Sequence, residues 1–247
     1  MSEKRLSGRI ALITGASRGI GRAVALAFAD QGAQVICVAR TQGGLEELDD
    51  EIRKLGGKDE NKATLVTCDL TDFDAIDRMG AAVYERFGRL DVLVGNAGIL
   101  GKLTPMHQLD PKIWDQVIGL DLTANWRLAR SFDPLLRASD AGRAIFVSDG
   151  VADGVWPYWG AYAVAKAGLE SMVRTYAGEL QKTNVKVNII RPGPVNSALR
   201  RQAFPGEEPD SIQNPEDITS WFIDLALPEC TRNGEVIEIS GEYASSS

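Results

Sequence analysis

Short, mostly β-branched apolar runs recur along the chain, and longer stretches of helical periodicity separate them. The runs are RIALIT (9–14), AQVICVA (33–39), ATLVTC (63–68), LDVLVG (90–95), RAIFVS (143–148), VKVNII (185–190) and EVIEIS (235–240). Between them GRAVALAFADQG, DFDAIDRMGAAVYERFG, PKIWDQVIGLDLTANWRLARSF and AYAVAKAGLESMVRTYAGELQ repeat apolar residues at the period of one helix face. Strand and helix alternating at this spacing predict an α/β fold, a doubly wound and mostly parallel seven-stranded sheet with helices on both faces. The runs are apolar nearly throughout, as strands buried from both sides require. The polar GGKDENK (56–62) and the Pro-rich, acidic FPGEEPDSIQNPED (204–217) read as loops and not as domain boundaries. No internal repeat interrupts the pattern, and low complexity is confined to the terminal SSS, so one domain is expected over residues 1–247.

Composition narrows the function classes. A chain of 247 residues with 44% hydrophobic content can close one sizeable core. A formal charge of −7 argues against a broad basic face for nucleic acid or anionic membrane, so any anion must be held by a local site. The opening MSEKRLSGRIALITG lacks the apolar core of a signal peptide, and no run of about 18 apolar residues occurs, which predicts a soluble, cytoplasmic protein. Cys37, Cys68 and Cys230 are odd in number and never paired as C-x-x-C, so they read as incidental thiols. With His107 as the single histidine, a histidine-based metal site or a Ser-His-Asp triad is a poor candidate, and His107 itself reads as a surface residue.

The first run leads into TGASRGIG (14–21), with Gly15, Gly19 and Gly21 just before a helix begins. Glycine lets backbone turn tightly and approach a pyrophosphate, whose charge suits the free N–H groups at a helix start. The spacing G-x-x-x-G-x-G departs from the common G-x-G-x-x-G, which leaves a mere tight turn as the plain alternative. Further on, Tyr162 and Lys166 stand four residues apart, on one face of a helix. A phenol titrates near pH 10, and an ammonium within about 4–6 Å favours its phenolate. Tyr162 can then exchange a proton with a carbonyl or alcohol oxygen. A surface aromatic and cation pair is the plain alternative.

These motifs together resemble the short-chain dehydrogenase/reductase family, over almost the whole length. TGASRGIG looks like that family's glycine motif, CDL (68–70) like its adenine-side turn, NAG (96–98) like its motif after the fourth strand, YAVAK (162–166) like its Tyr-x-x-x-Lys, and RPGPVNS (191–197) like its nicotinamide-side loop. The resemblance implies a single-domain Rossmann fold and a nicotinamide cofactor seated on Gly15, Ser17, Arg18, Gly19, Ile20, Gly21, Asp69, Leu70, Asn96, Ala97 and Gly98. Pro192, Gly193, Val195 and Ser197 follow on the nicotinamide side, with Ser197 bonding the carboxamide and Lys166 the ribose hydroxyls. It also implies that the helices carrying Asp121 and Tyr162 form a homodimer or homotetramer interface.

Two positions depart from the family. Its serine commonly lies thirteen residues before the tyrosine, which here is Asp149, with Ser148 one residue earlier. Its asparagine usually falls 28 residues before the serine, which here is Asp121, with Asn125 one turn later. An ionised Asp149 accepts hydrogen bonds but donates none, and it opposes a phenolate. A protonated Asp149 in an apolar pocket walled by Val155, Trp156, Tyr158 and Trp159 can donate to an oxyanion. A shift of one residue would present Ser148 instead. All three arrangements remain open to the sequence.

At the end of the second strand Ala39 stands where NAD-selective proteins often carry an acid, and Arg40 follows. Arg40 and Arg18 can bracket a 2′-phosphate, so NADP(H) is preferred, with NAD(H) possible. The aromatic VWPYWG (155–160) reads as a substrate wall or as packing, and the stretch after Ser197 reads as a short, chemically unspecific loop that points to no particular substrate. Two functions follow: an NADP(H)-dependent oxidoreductase using Tyr162, Lys166, Asp149 and Asp121 on a small carbonyl or alcohol, or a cofactor-binding protein of the same fold with impaired chemistry.

Overall fold

A computed structural model of the chain describes residues 4–56 and 63–239; apart from Gly56, the polar stretch 56–62 lies outside them, as does the terminal SSS. Each apolar run contains a strand: β1 (Ile10–Thr14), β2 (Gln34–Ala39), β3 (Thr64–Thr67), β4 (Val92–Gly95), β5 (Arg143–Val147), β6 (Lys186–Arg191) and β7 (Val236–Glu238). They form one seven-stranded sheet in the order β3-β2-β1-β4-β5-β6-β7. Every pairing among the described residues is parallel, where the sequence suggested mostly parallel. Parallel neighbours need crossovers, and helices supply them. These are α1 (Gly19–Asp30), α2 (Gln42–Gly56), α3 (Phe73–Phe87), α4 (Pro111–Val117), α5 (Ala124–Ala138), α6 (Gly160–Glu179), α7 (Ala198–Ala203) and α8 (Thr219–Ala226).

Successive side chains of a strand point to opposite faces, and here both faces are buried. Leu12 joins Ile36, Leu93 and Phe146 in a core closed by Ile76 of α3, Phe132 of α5 and Leu169 of α6. Its neighbour Ile13 joins Cys37, Val94 and Ile145 in a second core closed by Phe28 of α1, Leu48 of α2 and Phe222 of α8. Local signals set helix ends. The Asp72 carboxylate accepts from Ala75 N at 3.2 Å to cap α3, and Gly88, at φ +71°, ends it.

Two stretches differ from their sequence reading. Residues 111–132, read as one helix, are α4, a π-helical stretch over Ile118–Thr123 and the start of α5. The wider turn is a distortion often found at functional sites, and it carries Asp121. After Ser197 the chain forms α7 rather than a featureless loop, because the Ser197 side chain accepts from Arg200 N at 3.1 Å and starts a helix.

Strand order reverses direction between β1 and β4, which opens a crevice at their carboxyl ends. The amino ends of the same strands are locked together. Asp91, only 2% exposed, accepts from Ile10 N at 2.7 Å and from the Ser139 hydroxyl at 2.6 Å. The Arg9 guanidinium donates to the carbonyls of Asp91 at 3.0 Å and Ala141 at 2.7 Å. Replacing Asp91→Ala strands the buried Ile10 N–H and Ser139 hydroxyl. The expected loss is about 3–5 kcal/mol in urea unfolding, with a thermal midpoint about 10 °C lower. A change under about 1 kcal/mol would mean that water satisfies these groups.

Candidate active site

The crevice begins at the turn after β1. Gly15 holds φ +67°, and a Cβ there would lie 2.9 Å from Asn96 Nδ2 and 3.1 Å from Ala97 Cα. At Gly21 a Cβ would strike Gly15 O at 2.4 Å, so Gly21 lets α1 sit on the turn. Thr14 ties this turn to the one after β4, its hydroxyl accepting from Asn96 N at 2.9 Å and Ala97 N at 3.1 Å. Asn96 returns its side-chain amide to Thr14 O at 2.9 Å, so that side chain shapes the cradle. Arg18 precedes α1 without a side-chain cap, leaving the first helical N–H groups turned to the crevice without that partner.

The crevice encloses about 330 Å³. Of the residues named from sequence, it is lined by Gly15, Ser17, Arg18, Gly19, Ile20, Ala39, Arg40, Leu70, Asn96, Ala97, Gly98, Ser148, Asp149, Tyr162, Lys166, Pro192, Gly193, Val195 and Ser197. Among the residues expected to hold the cofactor or carry the chemistry, three are not in the lining. Gly21 acts in helix packing, Asp121 is wholly buried behind Gly98, and the Asp69 carboxylate accepts from Thr71 N at 2.9 Å and Thr71 Oγ1 at 2.8 Å. Those bonds hold the Asp69 carboxyl below its usual range. Cys68, read as incidental, does line the crevice, and burial pushes its thiol up, away from a reactive thiolate. Leu199 and Arg200 of α7 also line it, though nothing in the local sequence marked them. A larger hollow of about 700 Å³, bordered by Asp49, Arg53 and Arg86, lies at the amino ends of β2 and β3, away from the switch point.

Helix α6 carries Tyr162 and Lys166. Tyr162, Lys166 and Glu170 follow at four-residue intervals on one face, and all three are buried. The Tyr162 hydroxyl donates to Asp149 Oδ2 at 3.2 Å, while Asp149 Oδ1 accepts from Val151 N at 3.0 Å. Ser148 points elsewhere, donating to Glu170 Oε1 at 2.7 Å. Extended backbone at the end of β5 sends side chains 148 and 149 to opposite sides, so the carboxylate faces the tyrosine and the hydroxyl does not. Lys166 Nζ donates to Val147 O at 3.1 Å and lies 5.4 Å from the Tyr162 ring centroid.

Asp121 sits 3.7 Å from Lys166 Nζ through Oδ2, an ion pair longer than a hydrogen bond, and accepts from Ile99 N at 2.9 Å through Oδ1. Burial pushes its carboxyl up to about 6, with Lys166 and the Ile99 amide pulling the other way. Asn125 does not take over this position: its side-chain amide donates to Asp121 O at 2.8 Å and packs against Gly95.

Val155, Trp156, Tyr158 and Trp159, expected to wall the Asp149 pocket, lie outside the crevice lining, and the rings pack on one another beyond Tyr162. Trp159 lies 6.0 Å from Tyr162, 6.1 Å from Trp156 and 5.8 Å from Phe204, and the Arg200 guanidinium stacks 3.8 Å over Phe204. Arg200 is also bonded to Glu207 through two nitrogens, at 2.7 and 2.6 Å. Tyr158 and Val155 are exposed, and Tyr158 holds φ +75°, a strained value for a bulky residue. His107 lies in an exposed turn outside the crevice. Among the described residues no cluster of three His, Cys, Asp or Glu side chains could hold a metal ion, and no helix is long and apolar enough to cross a membrane.

The displaced Asp121 carboxyl makes stability depend on pH. In the unfolded chain the group loses its proton near 3.8, in the fold near 6, so the fold holds an extra proton between those values. Its contribution is full below about pH 4 and is lost as pH rises through about 6. Asp121→Asn is therefore expected to stabilise the protein at pH 7 by about 1–3 kcal/mol in urea unfolding, with the gain shrinking towards zero at pH 4. A gain that stays constant with pH would place its origin outside this titration.

Comparison with known proteins accords with this fold. The family model described as short chain dehydrogenase matches residues 9–208. The uncharacterized oxidoreductase YciK of Escherichia coli (strain K12) is 36% identical over 220 residues, 88% of this chain and 86% of that protein. The 3-oxoacyl-[acyl-carrier-protein] reductase FabG of Thermotoga maritima is 33% identical over 96% of this chain and 98% of its own length. Among solved structures, a short chain dehydrogenase from Escherichia coli CFT073 complexed with NADPH superposes with a TM-score of 0.90 at 32% identity, covering 96% of this chain and 99% of that one.

Proposed function

Since the chain belongs to the short chain dehydrogenase family, we propose that this oxidoreductase transfers hydride between NADP(H) and a small carbonyl or alcohol substrate, with Tyr162 exchanging the proton. The observation that carries this reading is the buried Tyr162 hydroxyl, 3.2 Å from a carboxylate and with Lys166 5.4 Å from its ring, in the crevice that starts at the glycine turn.

The crevice suits a dinucleotide. Gly15 has no room for a Cβ, so its backbone lies open to the crevice, and the uncapped start of α1 offers N–H groups to a pyrophosphate. Arg18 and Arg40 lie at the same end of the crevice, next to Ala39 where an acid would repel a 2′-phosphate. NADPH is the ligand of one structural relative. When bound, the nicotinamide gives or takes the hydride. The chain's residues do the rest. Lys166 would hold the nicotinamide ribose hydroxyls, and Ser197 with the 192–195 turn would border the nicotinamide.

A second reading rests on Asp149. An acceptor-only carboxylate cannot polarise a carbonyl as a hydroxyl does, so a protein that binds the cofactor with its chemistry lost is the competing possibility. Turnover separates the two, since both bind the nucleotide.

NADPH is expected to bind more tightly than NADH in a fluorescence titration, and Arg40→Asp to move the preference towards NADH; equal affinities in the wild type would remove the role given to the two arginines. Tyr162→Phe is expected to lower kcat by about 100-fold or more while leaving NADPH affinity within about threefold, since general acid–base catalysis is worth that much. An undiminished rate would mean that the proton comes from another group.

A further inference from the structure

Tyr162 and Lys166 each face a carboxylate. Lys166 Nζ lies 3.7 Å from Asp121 Oδ2, and the Tyr162 hydroxyl donates to Asp149 Oδ2 at 3.2 Å. A lysine stabilises a neighbouring phenolate through its charge, and a buried carboxylate beside it offsets much of that influence. A phenol whose hydrogen is aimed at a carboxylate is held as a phenol, because ionising it would set two anions at hydrogen-bond distance. The stronger base in this pair is the carboxylate.

Asp149 is built to stay in that position. Its Oδ1 is pinned by Val151 N at 3.0 Å, its backbone continues the extended end of β5, and its side chain is half-buried at the crevice wall. Three cations on the surrounding elements have a carboxylate of their own, and Arg18 and Arg40 line the same crevice. Lys166 of α6 faces Asp121 of the π-helical stretch; Arg191 of β6 is bonded to Glu170 of α6 at 2.7 Å and to Asp153 of the following loop at 2.6 Å. Arg200 of α7 is bonded to Glu207.

We infer that Asp149 is the terminal proton acceptor when this protein oxidises an alcohol, with Tyr162 relaying the proton, and that the site therefore binds its substrate oxygen best as a hydroxyl. The inference rests on the oxidoreductase reading above. In the step the substrate C–H bond breaks with its electron pair, which passes as hydride to the oxidised nicotinamide cofactor. The substrate O–H bond breaks as its proton bonds to Tyr162 Oη, and the proton Tyr162 carried moves to Asp149 Oδ2. The carbinol becomes a carbonyl, the tyrosine ends as it began, and the carboxylate becomes a carboxylic acid that returns its proton to water. In reverse, carbonyl reduction requires Asp149 protonated. A serine at 149 would end the relay at a group that is no base at neutral pH, leaving tyrosinate as the acceptor.

The test is the pH profile of kcat/KM for oxidation of a panel of secondary alcohols by the full chain with NADP+, measured for wild type, Asp149→Asn and Asp149→Ser. Wild-type oxidation is expected to hold its plateau to lower pH than either variant, because a carboxylic acid is a far stronger acid than a phenol. Both variants should lose rate already below about pH 8, an acid limb moved alkaline by about two units or more, as expected when a phenolate must form. Reduction by the wild type should fade through the pH at which oxidation rises. A readout free of cofactor is the 13C carboxyl resonance of Asp149, identified by its loss in Asp149→Asn; in Tyr162→Phe its titration midpoint should rise, since a donor to the carboxylate is removed. Turnover with one common acid limb in all three proteins, or an Asp149 resonance indifferent to Tyr162→Phe, overturns the relay and leaves the oxidoreductase reading standing. Nucleotide binding without turnover in either direction overturns both.

Discussion

The buried ion pair between Arg191 and Glu170 sets where the rest of the site can be. Arg191 closes β6, and its guanidinium forks onto the Glu170 carboxylate at 2.7 and 2.8 Å. Glu170 also accepts from Ser148 at the end of β5 and from Arg174 one turn further along α6. One carboxylate thus fixes the register of α6 against two strands, and Lys166 and Tyr162, one and two turns back on the same face, inherit that position. Bringing these charges out of water is costly, and the fork geometry with several hydrogen bonds is what offsets it. The Glu170 carboxylate, with help from Asp153, holds the Arg191 guanidinium above its ordinary pKa. Because Pro192 and Gly193 follow Arg191 directly and line the crevice, the same pair also places the turn proposed to border the nicotinamide.

Electrostatics within that frame are unusual for the tyrosine and lysine motif. A lysine beside a tyrosine ordinarily biases it towards phenolate. Here two carboxylates compete for the two groups, one wholly buried at Asp121 and one half-buried at Asp149. Each keeps a backbone N–H on one oxygen, but burial pushes the Asp121 carboxyl up to about 6, while Asp149 lines the crevice. The π-helical stretch at 118–123 brings Asp121 behind Gly98, where a Cβ would lie 3.0 Å from its carboxylate oxygen. A change in helix geometry is therefore tied to a change in the charge balance of the site.

The crevice itself follows from sheet order. Because β1 and β4 are neighbours while their connections leave to opposite sides, the turns after both strands meet, and Thr14 binds the two together through its hydroxyl and carbonyl. The glycine turn is needed there because the β4 turn approaches too closely for a side chain at Gly15. At the other end of the strands Asp91 and Arg9 take up the buried polar groups, which lets the carboxyl ends carry the chemistry.

The sequence by itself determined the seven strands, the face shared by Tyr162 and Lys166, and the need for small residues in the turn after β1. Each of these depends on local periodicity or on the conformational range of a single residue type. Counting back from Tyr162 by the spacings of the family the chain resembles also singled out Asp149 and Asp121. Only the tertiary structure decided that Asp149 and not Ser148 faces the tyrosine, because that depends on which way extended backbone leaves β5 and on Glu170, 22 residues away, waiting to take the Ser148 hydroxyl. Only it placed Cys68, Leu199 and Arg200 on the crevice wall and set the Asp69 carboxylate on Thr71. Only it buried Asp121 against a lysine 45 positions away. These outcomes rest on contacts between segments far apart in the chain, and a side chain's direction there is chosen by the partner it meets after folding, which no local pattern encodes.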